Sequence, residues 1–162
     1  MTDATPAWIP LDEIAAQEAE LQLGSLTHDD AWELGRTLVE AARAQQAPVT
    51  IDISIGDQQV FRAALPGSST DHVSWIERKT RAVRRFGHSS LYLGQEAREE
   101  GVTFDDKHAL DPALYAAHGG GFPLVVAGTG LVGVAVVSGL PQLDDHALVV
   151  QALRTFLGTD PS

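Results

Sequence analysis

Leu131-Val-Gly-Val-Ala-Val-Val-Ser138 is apolar at odd and even positions alike, so a strand formed there has no face to give to water. It must lie inside a sheet and be covered on both sides. Phe122 to Ala127 precedes it, and Gly128-Thr-Gly130 supplies the turn of a hairpin. A second hairpin stands upstream. Val49-Thr-Ile-Asp-Ile-Ser-Ile55 alternates without a break, β-branched apolar side chains on one face and Thr50, Asp52 and Ser54 on the other, the pattern of a half-buried strand. Gly56-Asp57 suits a tight turn, and Gln58 to Leu65 returns with Phe61, Ala63 and Leu65 on one face until Pro66-Gly67 breaks it.

Helical periodicity fills the remainder. Leu11 to Leu23 reads as a moderately amphipathic helix stopped by Gly24. A second helix begins at a cap on Thr27 or Asp29, carries Trp32, Leu34, Gly35, Leu38, Val39 and Ala42 at three-to-four spacing, and cannot pass Pro48. A third runs from about Asp71 to Phe86. After Pro141 a closing helix carries Ala147, Val149, Val150, Leu153, Phe156 and Leu157 to Gly158, with Asp144 and Asp145 capping its positive end. The order is helices, hairpin, helices, hairpin, helix. It predicts an α+β fold in which a central antiparallel sheet of about five strands carries helices on both faces; segregated hairpins argue against a doubly wound parallel sheet.

At 162 residues the chain makes one domain, residues 1–162 with an ordered core at roughly 10–157 and disorder-prone ends. It has no cysteine, which excludes disulfides, thiolate metal sites and cysteine nucleophiles, so a metal would need His, Asp or Glu. Twenty-two acidic against eleven basic residues give a net charge of -11, which repels nucleic acid and an anionic membrane surface. No apolar run is long enough to span a membrane, and the first residues lack the charged-then-apolar pattern of a secretory signal; the expected location is the cytoplasm.

The helix at 71–86 is the most informative stretch. With about 100° per residue, Trp75, Ile76, Ala82, Val83 and Phe86 form one stripe, while Arg78, Arg81, Arg84 and Arg85 lie away from it. Lys79 falls on the stripe, where an ammonium is costly unless a carboxylate or ligand pairs it. It snorkels to water, closes a structural ion pair, or faces a pocket. The arginines read as a solvated basic face that pairs with Glu77, Glu96, Glu99 or Glu100, or with an acidic neighbouring subunit.

His118-Gly119-Gly120-Gly121-Phe122-Pro123 brings three glycines into a strand, either to hold a ligand against main-chain N–H groups or to let the backbone pass closely. It is neither a phosphate loop nor a dinucleotide fingerprint. Of the six histidines none has zinc-hydrolase spacing; His146 reads as an ordinary surface residue in the first turn of the last helix. His108, Asp111 and His118, with Asp105 or Asp106, form a candidate metal set, although His and Asp scattered in a loop are more often solvated. Ser89-Ser90 after His88 reads as a helix start rather than as a nucleophile with its base.

These same stretches carry a resemblance. Trp75-Ile-Glu-Arg-Lys-Thr-Arg-Ala-Val-Arg-Arg-Phe-Gly-His-Ser-Ser90, His108-Ala-Leu-Asp-Pro112, His118-Gly-Gly-Gly-Phe-Pro-Leu124 and the run from Gly133 through Ser138-Gly139 to Gln142, in this order, resemble the uncharacterised branch of the haem-degrading-domain (GlcG/HbpS-like) family over roughly residues 10–157. The resemblance implies a profilin-like α/β/α sandwich, assembly into homo-oligomers and, in some relatives, binding of haem or a related tetrapyrrole. No relative's iron ligand maps onto a matching motif here.

Two classes of function are then expected. One is an oligomeric small-molecule-binding module with a pocket between the Lys79 helix and the 118–123 loop, its candidate residues being Lys79, Arg78, His118, Gly119, Gly120, Gly121, Pro123, Ser89 and Ser90 and haem its candidate cofactor. The other is a structural or adaptor protein working through its oligomeric surface, with a His/Asp metal-dependent enzyme as a third reading.

Overall fold

The structure, a computed structural model, describes residues 7–159; what the sequence suggests for residues 1–6 and 160–162 lies outside the described residues. The elements are α1 (Leu11–Glu20), α2 (His28–Ala44), β1 (Thr50–Ile55), β2 (Gln58–Ala64), α3 (Asp71–Phe86), α4 (Ser90–Glu99), α5 (Phe104–His108), β3 (Gly121–Val126), β4 (Gly130–Ser138) and α6 (Gln142–Leu157). The strands pair antiparallel in the order β2-β1-β4-β3, four strands where about five were expected. Among the described residues, the outer edge of β3 is met by Leu23, whose N–H donates to Val125 O (2.8 Å) and whose carbonyl accepts from Ala127 N (2.9 Å). The few residues between α1 and α2 leave no length for a fifth strand.

As its composition requires, β4 is central. Ala135 and Val137 join Ile51, Ile53, Phe61, Phe122 and Leu124 in a core shared with α2 and α6, while Val134 and Val136 pack on the opposite face against Ile76 and Val83 of α3. Alternation along one strand therefore feeds two separate cores, and each buried valine or leucine contributes about 1.5–3 kcal/mol. The second face of β1 departs from the half-buried reading: Thr50, Asp52 and Ser54 are all buried. β1 is flanked by β2 and β4, and long side chains close over its polar face. Gln59 Nε2 and Arg62 Nε donate to Asp52 Oδ2 (2.5 and 2.9 Å), and Arg84 donates to Ser54 Oγ (2.9 Å).

Helix ends follow local chemistry. Thr27 Oγ1 accepts from Asp30 N while the Asp30 carboxylate accepts from Thr27 N, a complete capping box for α2. Gly35 in α2 is required by contact: the Phe61 ring lies where a Cβ would stand. The first helix ends at Glu20 rather than Leu23 because Leu23 is committed to the sheet edge.

Candidate functional site

Lys79 is turned inward. It is 2% exposed, and its Nζ donates to Val137 O (3.1 Å) and to Asp145 Oδ2 (3.3 Å). Asp145, in the first turn of α6 and also 2% exposed, accepts in addition from Gly139 N (3.3 Å) and Leu140 N (3.0 Å). Burial draws both partners toward neutrality, holding the lysine below and the aspartate above its ordinary pKa; the charge of each opposes the shift of the other.

Beside this pair opens a cleft of about 270 Å³, lined by Lys79 and Asp145 together with Asp71, His72 and Trp75 from the start of α3, His118, Ser138 to Leu140, and Gln142. The first turns of α3 and α6 both border it, so two positive helix ends face the same space. Lys79 uses two of its three N–H donors on the chain, and the third has no partner among the described residues. His118 stands at the rim with its ring 5.0 Å from that of Trp75, and Arg78 stacks on the same indole at 4.0 Å. Partial burial and the nearby charges of Lys79 and Arg78 lower the His118 pKa, so its imidazole is neutral at pH 7.

Of the residues singled out in the sequence, the structure brings Lys79 and His118 to this cleft and Arg78 to its border. The glycines lie beneath it, packed on the chain itself. A Cβ on Gly119 would meet the Gln142 carbonyl; one on Gly120 would meet the Val137 carbonyl and approach Lys79 Nζ to 2.8 Å; one on Gly121 would lie 3.0 Å from Val83 Cγ2. Gly119 N donates to Gln142 Oε1 and Gly121 N to Ser90 Oγ (2.9 Å). Pro123 is buried within β3. Ser89 caps α4, accepting from Tyr92 N while donating to Glu18, as a helix start does.

Three expectations change. His146 is not a surface residue but 1% exposed, because α1 lies over it and Gln17 Oε1 stands 2.7 Å from its Nε2. The arginines pair with none of the glutamates proposed for them: Arg81 donates to Leu114 O, Arg84 to Ser54 and Gly56, and Arg85 to Tyr115 Oη. The metal set does not assemble: His108 packs against Phe86 and Phe104, Asp111 Oδ1 accepts from Ala113 N, and among the described residues no three His, Asp or Glu side chains stand close enough to share an ion. The residues the sequence did not reveal are Asp145 as the lysine's partner and His72, Ser138 and Gln142 in the lining. A lysine on an apolar stripe announces a carboxylate but cannot say which.

With this geometry in view, residues 26–154 match the family described as haem degrading protein, HbpS-like. The chain belongs to that family. A UPF0303 protein of Streptomyces avermitilis is 54% identical over 158 residues, covering 97% of this chain and 96% of its own length. Among solved structures the Ybr137w protein superposes with a TM-score of 0.84 at 33% identity, over 93% of this chain and 88% of its own. A PduOC:heme complex superposes with a TM-score of 0.68 at 18% identity, over 80% and 93%, a likeness of fold alone.

The haem of the family name does not fit the cleft of one chain. Its floor is an ion pair, and about 270 Å³ falls short of the roughly 300–1,000 Å³ of sites for drug-sized ligands. His118 also walls a second hollow, of about 300 Å³, against Arg98, Phe104 and Asp105, at the lower end of that range. No helix among the described residues is long and apolar enough to cross a membrane.

Proposed function

We propose that this chain is a small-molecule-binding module whose cleft between α3 and α6 takes the carboxylate or other oxyanion of a small polar ligand. The observation that carries the reading is the remaining N–H of Lys79, held by its two protein acceptors at the bottom of a cleft that it helps to line. Formal charge around the cleft cancels, Lys79 and Arg78 against Asp71 and Asp145, so the two helix N-termini tip the balance toward an anion. The neutral ring of His118 and the hydroxyl of Ser138 add neutral donors or acceptors at the wall.

The family description and the haem complex of one relative make haem the comparison ligand, and the size of the cleft favours the smaller one. Calorimetric titration with acetate, glycolate and oxalate, beside haemin followed by its Soret band, tests the reading in wild type, Lys79→Ala and His118→Ala. Saturable binding of a small carboxylate that both substitutions weaken supports it. Saturable one-to-one haemin binding lost in the same variants, with no response to the carboxylates, moves the assignment to a tetrapyrrole; featureless, variant-independent signals from all four compounds refute a site here.

The adaptor reading draws less support, because the arginine face is engaged by carbonyl and hydroxyl groups of its own chain. Self-association remains part of the proposal: β2 is an outer strand of the sheet, and Trp32, 56% exposed, stands beside it on Phe61. Sedimentation velocity on wild type and Trp32→Ala measures it directly.

A further inference from the structure

The other side of α3 holds a second, separate space. On the face of the sheet that α3 covers, the helix packs over β4 and β3 and leaves a groove of about 250 Å³ along β1 and β2, lined by Asp52, Ser54, Gln59 and Arg62 from the hairpin and by Ile76, Thr80 and Arg84, among others, from the helix. The polar groups at its base are buried: Asp52 is 5% exposed, Ser54 4% and Thr80 8%. Stability does not call for them. A carboxylate on a central strand is costly to desolvate, and an apolar side chain at the position serves a sheet at least as well.

Their hydrogen bonding is incomplete in a definite way. Both protein donors to Asp52 use Oδ2, and Oδ1 accepts none within the described residues. Ser54 Oγ accepts from Arg84 but gives its own proton to no partner, and the Thr80 hydroxyl makes no hydrogen bond within the described residues. A carboxylate oxygen and two hydroxyls therefore border the same groove with capacity unused. The lining charges balance, Asp52, Asp57 and Glu77 against Arg62, Arg81 and Arg84, and the Asp52 charge is already matched by Arg62 at 2.9 Å. A site that is neutral overall favours neither a cation nor an anion. What it satisfies is a ligand with several neutral O–H groups that both donate and accept. At about 30 Å³ per water the groove displaces roughly eight waters, the bulk of one monosaccharide.

We propose that the groove between α3 and the β1–β2 hairpin binds a neutral polyhydroxylated molecule of monosaccharide size, through Asp52 Oδ1, Ser54 Oγ and Thr80 Oγ1. It shares no lining residue with the Lys79 cleft, so either site stands or falls without the other. The test is a two-dimensional amide NMR titration of the full chain with D-glucose, D-mannose and myo-inositol, and with inorganic phosphate as the contrary probe. The expected result is saturable shifts confined to residues 52–62 and 76–84 for at least one of the neutral compounds and none for phosphate there. Asp52→Asn keeps the shape and removes the charged acceptor; it should weaken binding at least about tenfold, as loss of a hydrogen bond to a charged group does, and Thr80→Val, which removes a neutral hydroxyl, should weaken it about two- to tenfold. Absence of saturable shifts with all three neutral compounds, shifts that both variants retain in full, or a response to phosphate alone would overturn the proposal. Thermal melts of both variants separate lost binding from lost fold.

Discussion

Replacing Lys79 by methionine keeps most of the buried volume and removes only the ammonium. Asp145 then retains two backbone N–H donors but loses its counter-charge inside the protein. Breaking a buried pair by deleting one partner costs about 3–5 kcal/mol. Protonation sets a ceiling on that cost: from an ordinary pKa of 3.8, neutralising the acid at pH 7 costs about 4 kcal/mol and at pH 5 about 2 kcal/mol. The sign follows, since a carboxyl whose folded pKa rises further is tolerated at low pH and penalised as pH climbs through that pKa. Urea unfolding followed by circular dichroism should therefore show a loss of 3–4 kcal/mol at about pH 7 that shrinks to about 2 kcal/mol near pH 5. Lys79→Met with Asp145→Asn, which buries no charge, should recover most of it. A single-variant loss below about 1 kcal/mol, or one of equal size at both pH values, would show that the pair is not buried as described and refute the reasoning.

Two further expectations rest on other parts of the same region. Burial lowers the His146 pKa from 6.5 to about 4, so wild type should lose about 2 kcal/mol between pH 7.5 and pH 5, where the unfolded chain takes up a proton and the folded one does not; His146→Gln, with pH-dependent urea midpoints as readout, should lose that part of the slope. Gly120 has φ of 130° with the Val137 carbonyl and Lys79 Nζ against it, so Gly120→Ala should cost more than about 2 kcal/mol by thermal melt, whereas Gly128→Ala, with open space around it, should cost only its backbone strain, about 1 kcal/mol.

Much of the architecture is written in local patterns. The two-sided apolar run of β4 demanded a central strand, Gly56 and Gly128 marked the hairpins, a cap on Thr27 or Asp29 marked the start of α2, and the helix at 71–86 was legible from end to end. Each depends on residues within a few positions of one another, where propensity, periodicity and capping act. For Lys79 only its place on an apolar stripe was legible; water, an ion pair and a pocket all stayed open to it. What covers the polar face of β1 was not legible, because Arg84 is 30 residues from Ser54 and reaches it only after α3 has docked.

Pairing and enclosure belong to tertiary structure alone. Asp145 looks like an ordinary helix-capping acid in sequence and becomes the counter-charge of a lysine 66 positions away only when α6 and α3 pack against β4 from opposite faces. His146, a plausible surface residue by periodicity, is buried because α1 closes over it. The sequence by itself therefore determined the two hairpins, the helices before the first hairpin, at 71–86 and after Pro141, and that an ammonium stands on an apolar stripe; it did not resolve α4 and α5 or limit the sheet to four strands. Which groups meet, which hydrogen-bonding capacity stays unused and where a cleft remains open were decided by packing, since desolvation and Coulomb energy depend on distances that no local pattern encodes.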